Sequence, residues 1–296
     1  NPQIQDVLLN INGLAHKVEW EADLFFAEST DELFDFPLYH ALDDDAQEHF
    51  RRRFLFDSFG GTFGSNVPIR FDERNFAFRN AIQSNVTGSP EIADDLFAAR
   101  FGVNQRWQTK RGPMENQKII DWIVFDFHGT FFPKADRDNH GESLGVFDYD
   151  FRWHVGDRFT ILSDGYADTF SQGLKTISLG ARLTRPEVGN LYVGFRSIEG
   201  PISANVLNAQ INQRLTEKWA LSFGTSIDFA ASGNLGQRFA ISRIGESTIV
   251  RAGFNVDVSR GTTGLNFVIL PRFVPKRTLR QSVGVEIPPL GSRGLE

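Results

Sequence analysis

The sequence predicts an all-β fold: an antiparallel up-and-down outer-membrane β-barrel, complete or partial, with roughly ten to thirteen strands. Three observations predict it. First, Trp219 to Phe229 alternates strictly, with Trp219, Leu221, Phe223, Thr225, Ile227 and Phe229 on one face and Ala220, Ser222, Gly224, Ser226 and Asp228 on the other, because successive strand side chains point to opposite sides. Second, at about eleven residues this segment is twice the mean strand length and matches a tilted crossing of a bilayer. Third, 29 Phe and 27 Gly accompany a single Met. Phe loads apolar area onto one strand face, while Gly and Ser leave room on the other.

Apolar runs extend only a few residues, far short of the ~18 that a membrane helix needs. A spanning chain must then cross with strands, since only helices and closed barrels satisfy every backbone group in lipid. The net charge of −6 gives a nucleic-acid partner no electrostatic support. The chain has no Cys, which excludes disulfide, thiol and Cys-zinc chemistry. It begins Asn1-Pro2 with no signal peptide, as expected of a mature protein or a piece of a longer one.

The first strand is Leu14 to Phe26. Leu14, Val18, Trp20, Ala22, Leu24 and Phe26 share a face with His16, and Lys17, Glu19, Glu21 and Asp23 share the other. A charged side chain facing lipid at mid-bilayer costs about 2–4 kcal/mol for Lys or Arg, so the charges mark the face turned away from lipid. From Pro37 to Phe54 the alternation stops; Asp43 to Asp45 ahead of Arg51 to Arg53 predicts a short surface helix oriented as its dipole favours. Ser89 to Asp95 has N-terminal helix signals and leads into a strand carrying Phe97, Ala99, Phe101, Val103 and Trp107 on one face.

Ile119 to Phe132 follows, with Ile123, Phe125, Phe127 and Phe131 outward and Trp122, Val124, Asp126, His128 and Thr130 inward. In Phe147 to His154 four aromatics including Trp153 point one way, and Asp148, Asp150, Arg152 and His154 the other. Val155 to Arg158 is a tight turn into Phe159 to Leu162. Hairpins continue through 176–184, 191–198, 203–215 (with Asn208, Gln210, Asn212 and Arg214 inward), 219–229, 237–244, 248–259 and 265–273. The whole reads as one barrel domain over residues 1–296, with loop or short-helix insertions at 37–54 and 86–96 and a last strand, 281–287, in the tail at 274–296. Trp107, Trp153 and Trp219, at strand ends, suit an interfacial girdle.

The inward set Asp126, His128, Asp148, Asp150, Arg152, His154, Arg182, Arg196, Asn208, Gln210, Asn212 and Arg214 is predicted to line a wet lumen. Trp153, Trp219, Leu221, Phe223, Ile227 and Phe229 are predicted to face lipid. No catalytic, metal or cofactor site is predicted. Gly141 to Gly145 matches a nucleophile elbow around Ser143, yet that motif needs a strand before it and a helix after, and here a polar loop precedes and a strand follows. Asp136 to Gly141 begins like a calcium loop but has Phe147 where the bidentate Glu belongs.

Asp150-Phe151-Arg152-Trp153, the Gly156 to Phe159 turn, Lys175 to Arg182, Leu215 to Leu221 and Phe267 to Arg272 together resemble, in order and spacing, the barrel of the LPS-assembly protein LptD family (organic solvent tolerance proteins). The resemblance is firmest from about 118 to 273 and thin before 90. It implies an outer-membrane translocon of a diderm bacterium that inserts lipopolysaccharide or a related glycolipid into the outer leaflet. It also implies contact with outer-membrane lipid, a plug lipoprotein and a periplasmic bridge protein. Arg182, Arg196 and Arg214 would hold phosphate-bearing sugars. The family's barrel has more strands, a jelly-roll domain and disulfides that this chain lacks. Two other readings stay open, a porin-like passive outer-membrane channel and a soluble all-β binding protein.

Overall fold

Twelve strands hydrogen-bond in strict sequence order into one antiparallel sheet, the pattern of an up-and-down meander. They are β3 (Ala15–Ala27), β4 (Leu96–Arg111), β5 (Lys118–Phe131), β6 (Leu144–His154), β7 (Phe159–Asp168), β8 (Lys175–Arg185), β9 (Gly189–Glu199), β10 (Ala204–Arg214), β11 (Trp219–Asp228), β12 (Gly233–Ile244), β13 (Thr248–Asp257) and β14 (Thr262–Pro271). A two-stranded hairpin, β1 (Gln5–Asp6) with β2 (Ile11–Asn12), precedes them, and α1 (Ala135–Asp138) is a single turn between β5 and β6. The computed structural model describes residues 5–6, 11–30, 95–112, 114–169, 173–186, 188–200, 203–229, 233–258 and 261–272. The short helix expected at 37–54 and the strand expected at 281–287 lie outside these residues, as does most of the insertion at 86–96.

Each strand side keeps its chemistry from one strand to the next. One row of facing residues runs Phe159, Leu183, Leu191, Ile211, Phe223, Phe239, Phe254, Leu265 across eight strands. The row one residue along runs Thr160, Arg182, Tyr192, Gln210, Gly224, Arg238, Asn255, Gly264. A slip of one residue at a ladder would bring the polar row, with Arg182 and Arg238 in it, into the apolar one, so the pattern pins the register. On the apolar side Trp20, Leu24, Ile177, Leu179, Phe223, Phe239 and Phe267 are exposed. Large exposed apolar side chains outnumber buried ones among the described residues, whereas a soluble monomer rarely exposes an apolar patch beyond a few hundred Å².

The two ends of the sheet differ. At the end where β4, β6, β8, β10 and β12 finish, the connections are short. The other end carries the longer connections, residues 28–95 and 132–143. At the short end arginines donate to turn carbonyls: Arg111 to those of His154 and Val155, Arg214 to those of Thr216 and Glu217, and Arg272 to those of Gly245 and Glu246. At the long end aspartates accept from backbone amides, Asp138 from Phe97 and Asp228 from Asn205, both at 2.9 Å. Arg137, bonded to Asp138 and Asp95, has its pKa raised, first by the Asp138 hydrogen bond. Each set satisfies backbone groups that the ladder leaves over.

Trp122 departs from the sequence reading. Trp107 faces Ile123 but Gln108 faces Asp121, so Trp122 is an extra residue in a bulge. The bulge swings it to the apolar side, where its ring meets Trp153 edge-on at 6.2 Å. No helix among the described residues is long and apolar enough to cross a membrane, which leaves crossing by strands open. The edges β3 and β14 do not pair with each other among the described residues.

Candidate functional site: the polar face of the sheet

The polar face gathers the residues expected there except Trp122, which the bulge turns to the other side, and it divides into two halves of different electrostatics. In the half from β3 to β9, aspartates pair with arginines. Asn104, Asp126, Asp150, Asp164, Ser178 and Arg196 form one row across six strands. Three carboxylates thus stand side by side, an arrangement that repels. Arg106 holds Asp126 with two hydrogen bonds, the longer 3.1 Å, Arg152 holds Asp150 at 2.8 Å, and Arg196 reaches Asp164 at 3.5 Å with Ser178 bridging them. Next to this row His128 bonds Asp148 at 2.9 Å and lies 3.8 Å from Glu21. His154 bonds Thr160 at 3.1 Å.

The half from β10 to β14 is rich in amides; its acids are Asp228, which accepts from the Asn205 amide, and Asp257, at the edge of the larger of two hollows. Asn208, Gln210, Arg238 and Asn255 line a hollow of about 580 Å³. A second hollow of about 340 Å³ shares Gln210, Arg238 and Asn255 with it and adds Asn212, Arg251 and Asn266. Tyr192 lies flat over Gly180 and Gly194, where an added Cβ at Gly180 would meet the Tyr192 hydroxyl at 2.9 Å. Arg238 lies over Gly224 in the same way, at 2.8 Å from its Nε. Asn212 bonds Asn190, and Ser226 bonds Asn208.

Of the three arginines expected to hold sugar phosphates, Arg196 is engaged with Asp164 and Arg214 with the Thr216 and Glu217 carbonyls. Arg238 and Arg251 were not singled out by the sequence reading, although strand parity from Phe239 and Phe254 places both on the polar face. The lipid-face set has Trp219, Leu221, Phe223 and Ile227 on the apolar side of β11; Arg243 sits 5.9 Å above the Trp219 ring. Phe229 lies one residue past the end of β11 and is exposed.

The two chemical motifs dissolve in the structure. Ser143 sits in a loop that opens β6, and its carbonyl accepts the Phe132 amide, with no helix after it as an elbow requires. The Asp136 to Gly141 stretch is the one-turn α1 and its exit, with buried Asp138 spent on the Phe97 amide and Arg137. No group of three or more His, Cys, Asp or Glu that could hold a metal ion occurs among the described residues.

No family model matches the chain, and no curated protein does. Solved structures that match in shape include porins. One is a multiply substituted Rh. blastica porin at 10% identity and a TM-score of 0.37, covering 58% of this chain and 54% of that one. Another is a triple mutant of Rhodopseudomonas blastica porin at 8% identity and a TM-score of 0.31, covering 62% and 83%. A third, KdgM porin, aligns at 7% identity and a TM-score of 0.27, covering 57% and 90%. The chain thus spans about half the length of the first of these porins. The resemblance to the LPS-assembly family is corrected accordingly: no family model supports it, and the structures found include porins. The strings that carried it are alternations of aromatic and polar residues that any two-faced strand of this length imposes, so their order identifies a meander and not a translocon.

Proposed function

We propose that the chain forms the wall of an outer-membrane β-barrel through which small hydrophilic solutes diffuse passively, without catalysis. One observation carries the reading: the apolar row from Phe159 to Leu265 lies beside the polar row from Thr160 to Gly264 across eight strands. A sheet greasy and exposed on one side and charged on the other is satisfied by lipid outside and water inside. Open sheets beyond about ten strands curl or close, and twelve strands leave β3 and β14 antiparallel, as closure requires. Trp107, Trp122, Trp153 and Trp219 all sit near the short-turn end, which suits one interfacial girdle.

The test is single-channel recording on the full chain refolded and inserted into planar bilayers. The expected result is stepwise, ohmic conductance that persists without added substrate. Absence of any step from protein shown by gel mobility to be folded would overturn the channel reading.

A further inference from the structure

We infer that the hollow between β10 and β14 is a binding subsite for an acidic sugar, one bearing a carboxylate or phosphate among hydroxyls. The inference rests on the reading of the polar face as a wet lumen, and names a solute class for it. Its ground is the contrast between arginines. Arg106, Arg152 and Arg196 each have an aspartate. Arg238 and Arg251 have no carboxylate partner among the described residues, yet both line the same hollow of about 340 Å³. Arg238 makes one weak contact, to Gln210 at 3.4 Å.

Two like charges sharing a hollow repel, and Arg238 lies flat against the wall where Gly224 leaves it room. An oxyanion between them removes the repulsion and takes hydrogen bonds from planar forks that suit carboxylate and phosphate alike. Beside Ser222 and the strands that carry Phe223, Phe239 and Phe254, the lining brings four amides, Gln210, Asn212, Asn255 and Asn266, which both donate and accept, the requirement of a hydroxyl. The volume falls in the range of small-molecule sites. A neutral sugar leaves the guanidiniums unmet, and a bare inorganic anion leaves the amides unused.

Calorimetric titration of glucose 6-phosphate, glucuronate and glucose into the full chain refolded in detergent micelles tests this. At low salt, saturable binding is expected for glucose 6-phosphate or glucuronate, and whichever binds tells phosphate from carboxylate. Glucose should bind roughly tenfold more weakly or not at all. R238Q and R251Q should each lower the acidic sugar's affinity about tenfold. G224S, which keeps both charges but pushes Arg238 off the wall, should lower it too. Equal binding of glucose, no saturable binding of either acid, or indifference to both arginine substitutions would overturn the proposal; the wild-type comparison decides even where a variant does not fold. The titration reads binding and the bilayer reads flux, so an acidic sugar bound by a protein that passes no current sinks the channel reading alone.

Discussion

Asp126 of β5 and Asp150 of β6 stand directly opposite each other on the polar face, with Asp164 of β7 next in the row. Their mutual repulsion is met by one arginine each, from β4, β6 and β9. The row is a charge balance built across strands distant in sequence, and removing a cation should hurt more than removing an anion.

R106Q leaves three carboxylates with two arginines, while D126N relieves one repulsion as it loses one attraction. Arg106 and Asp126 are 29% and 16% exposed at their side chains, so solvent screens the pair only in part. R106Q should lower unfolding stability by about 1–2 kcal/mol and D126N by under about 1 kcal/mol. Urea unfolding from lipid vesicles, read by tryptophan fluorescence, measures both. A larger cost for D126N would contradict a repulsive row.

The assignment of lipid and water faces predicts a sharp asymmetry between adjacent residues of β11. Phe223 is exposed on the apolar face and Ser222 faces the polar one. F223K should cost about 2–4 kcal/mol of folding free energy in bilayers, and S222K well under 1 kcal/mol. Equal costs would mean that water bathes both faces.

The arginines at the short-turn end make a third expectation. Arg111 is almost wholly buried while donating to the His154 and Val155 carbonyls and to Asp157 at 3.1 Å. Truncation to Ala removes both the bonds and the packing of its stem, and should cost roughly 1–3 kcal/mol. R152A, at a half-exposed guanidinium, should cost less than about 1 kcal/mol. Chemical denaturation of the two variants side by side decides whether the turn cap matters more than the surface pair.

Strand parity made most of this sheet legible. Charges in Lys17 to Asp23 and aromatics in Phe147 to Trp153 sort each strand into a polar and an apolar side, and the ladder carries the same sorting onto the neighbouring strands. Twelve strands in the main sheet fall within the expected range for the same reason, since each hairpin announces itself by alternation and a turn. Trp122 was misplaced because a bulge adds a residue without leaving a mark in the sequence. Arginine pairing was out of reach too: Arg196 and Asp164 meet across β8, which lies between their strands. Arg238 and Arg251 were passed over because parity shows a side chain's face, not whether an acid neutralises it. Family likeness failed where alternation alone carried it.

Closure of the sheet gives the last prediction. The most exposed apolar side chains include Trp20 on β3 at 80% and Leu265 on β14 at 86%, and both strands have one neighbour among the described residues. An antiparallel edge strand leaves every second amide unpaired. If β3 and β14 close the barrel, hydrogen exchange in peptides covering 15–27 and 262–271 should be as slow as in peptides covering β8 to β10. If the edges stay open, half the amides of each edge strand should exchange within the first seconds of labelling, while those of the central strands remain protected. That outcome would require another chain, or another part of this one, to complete the wall.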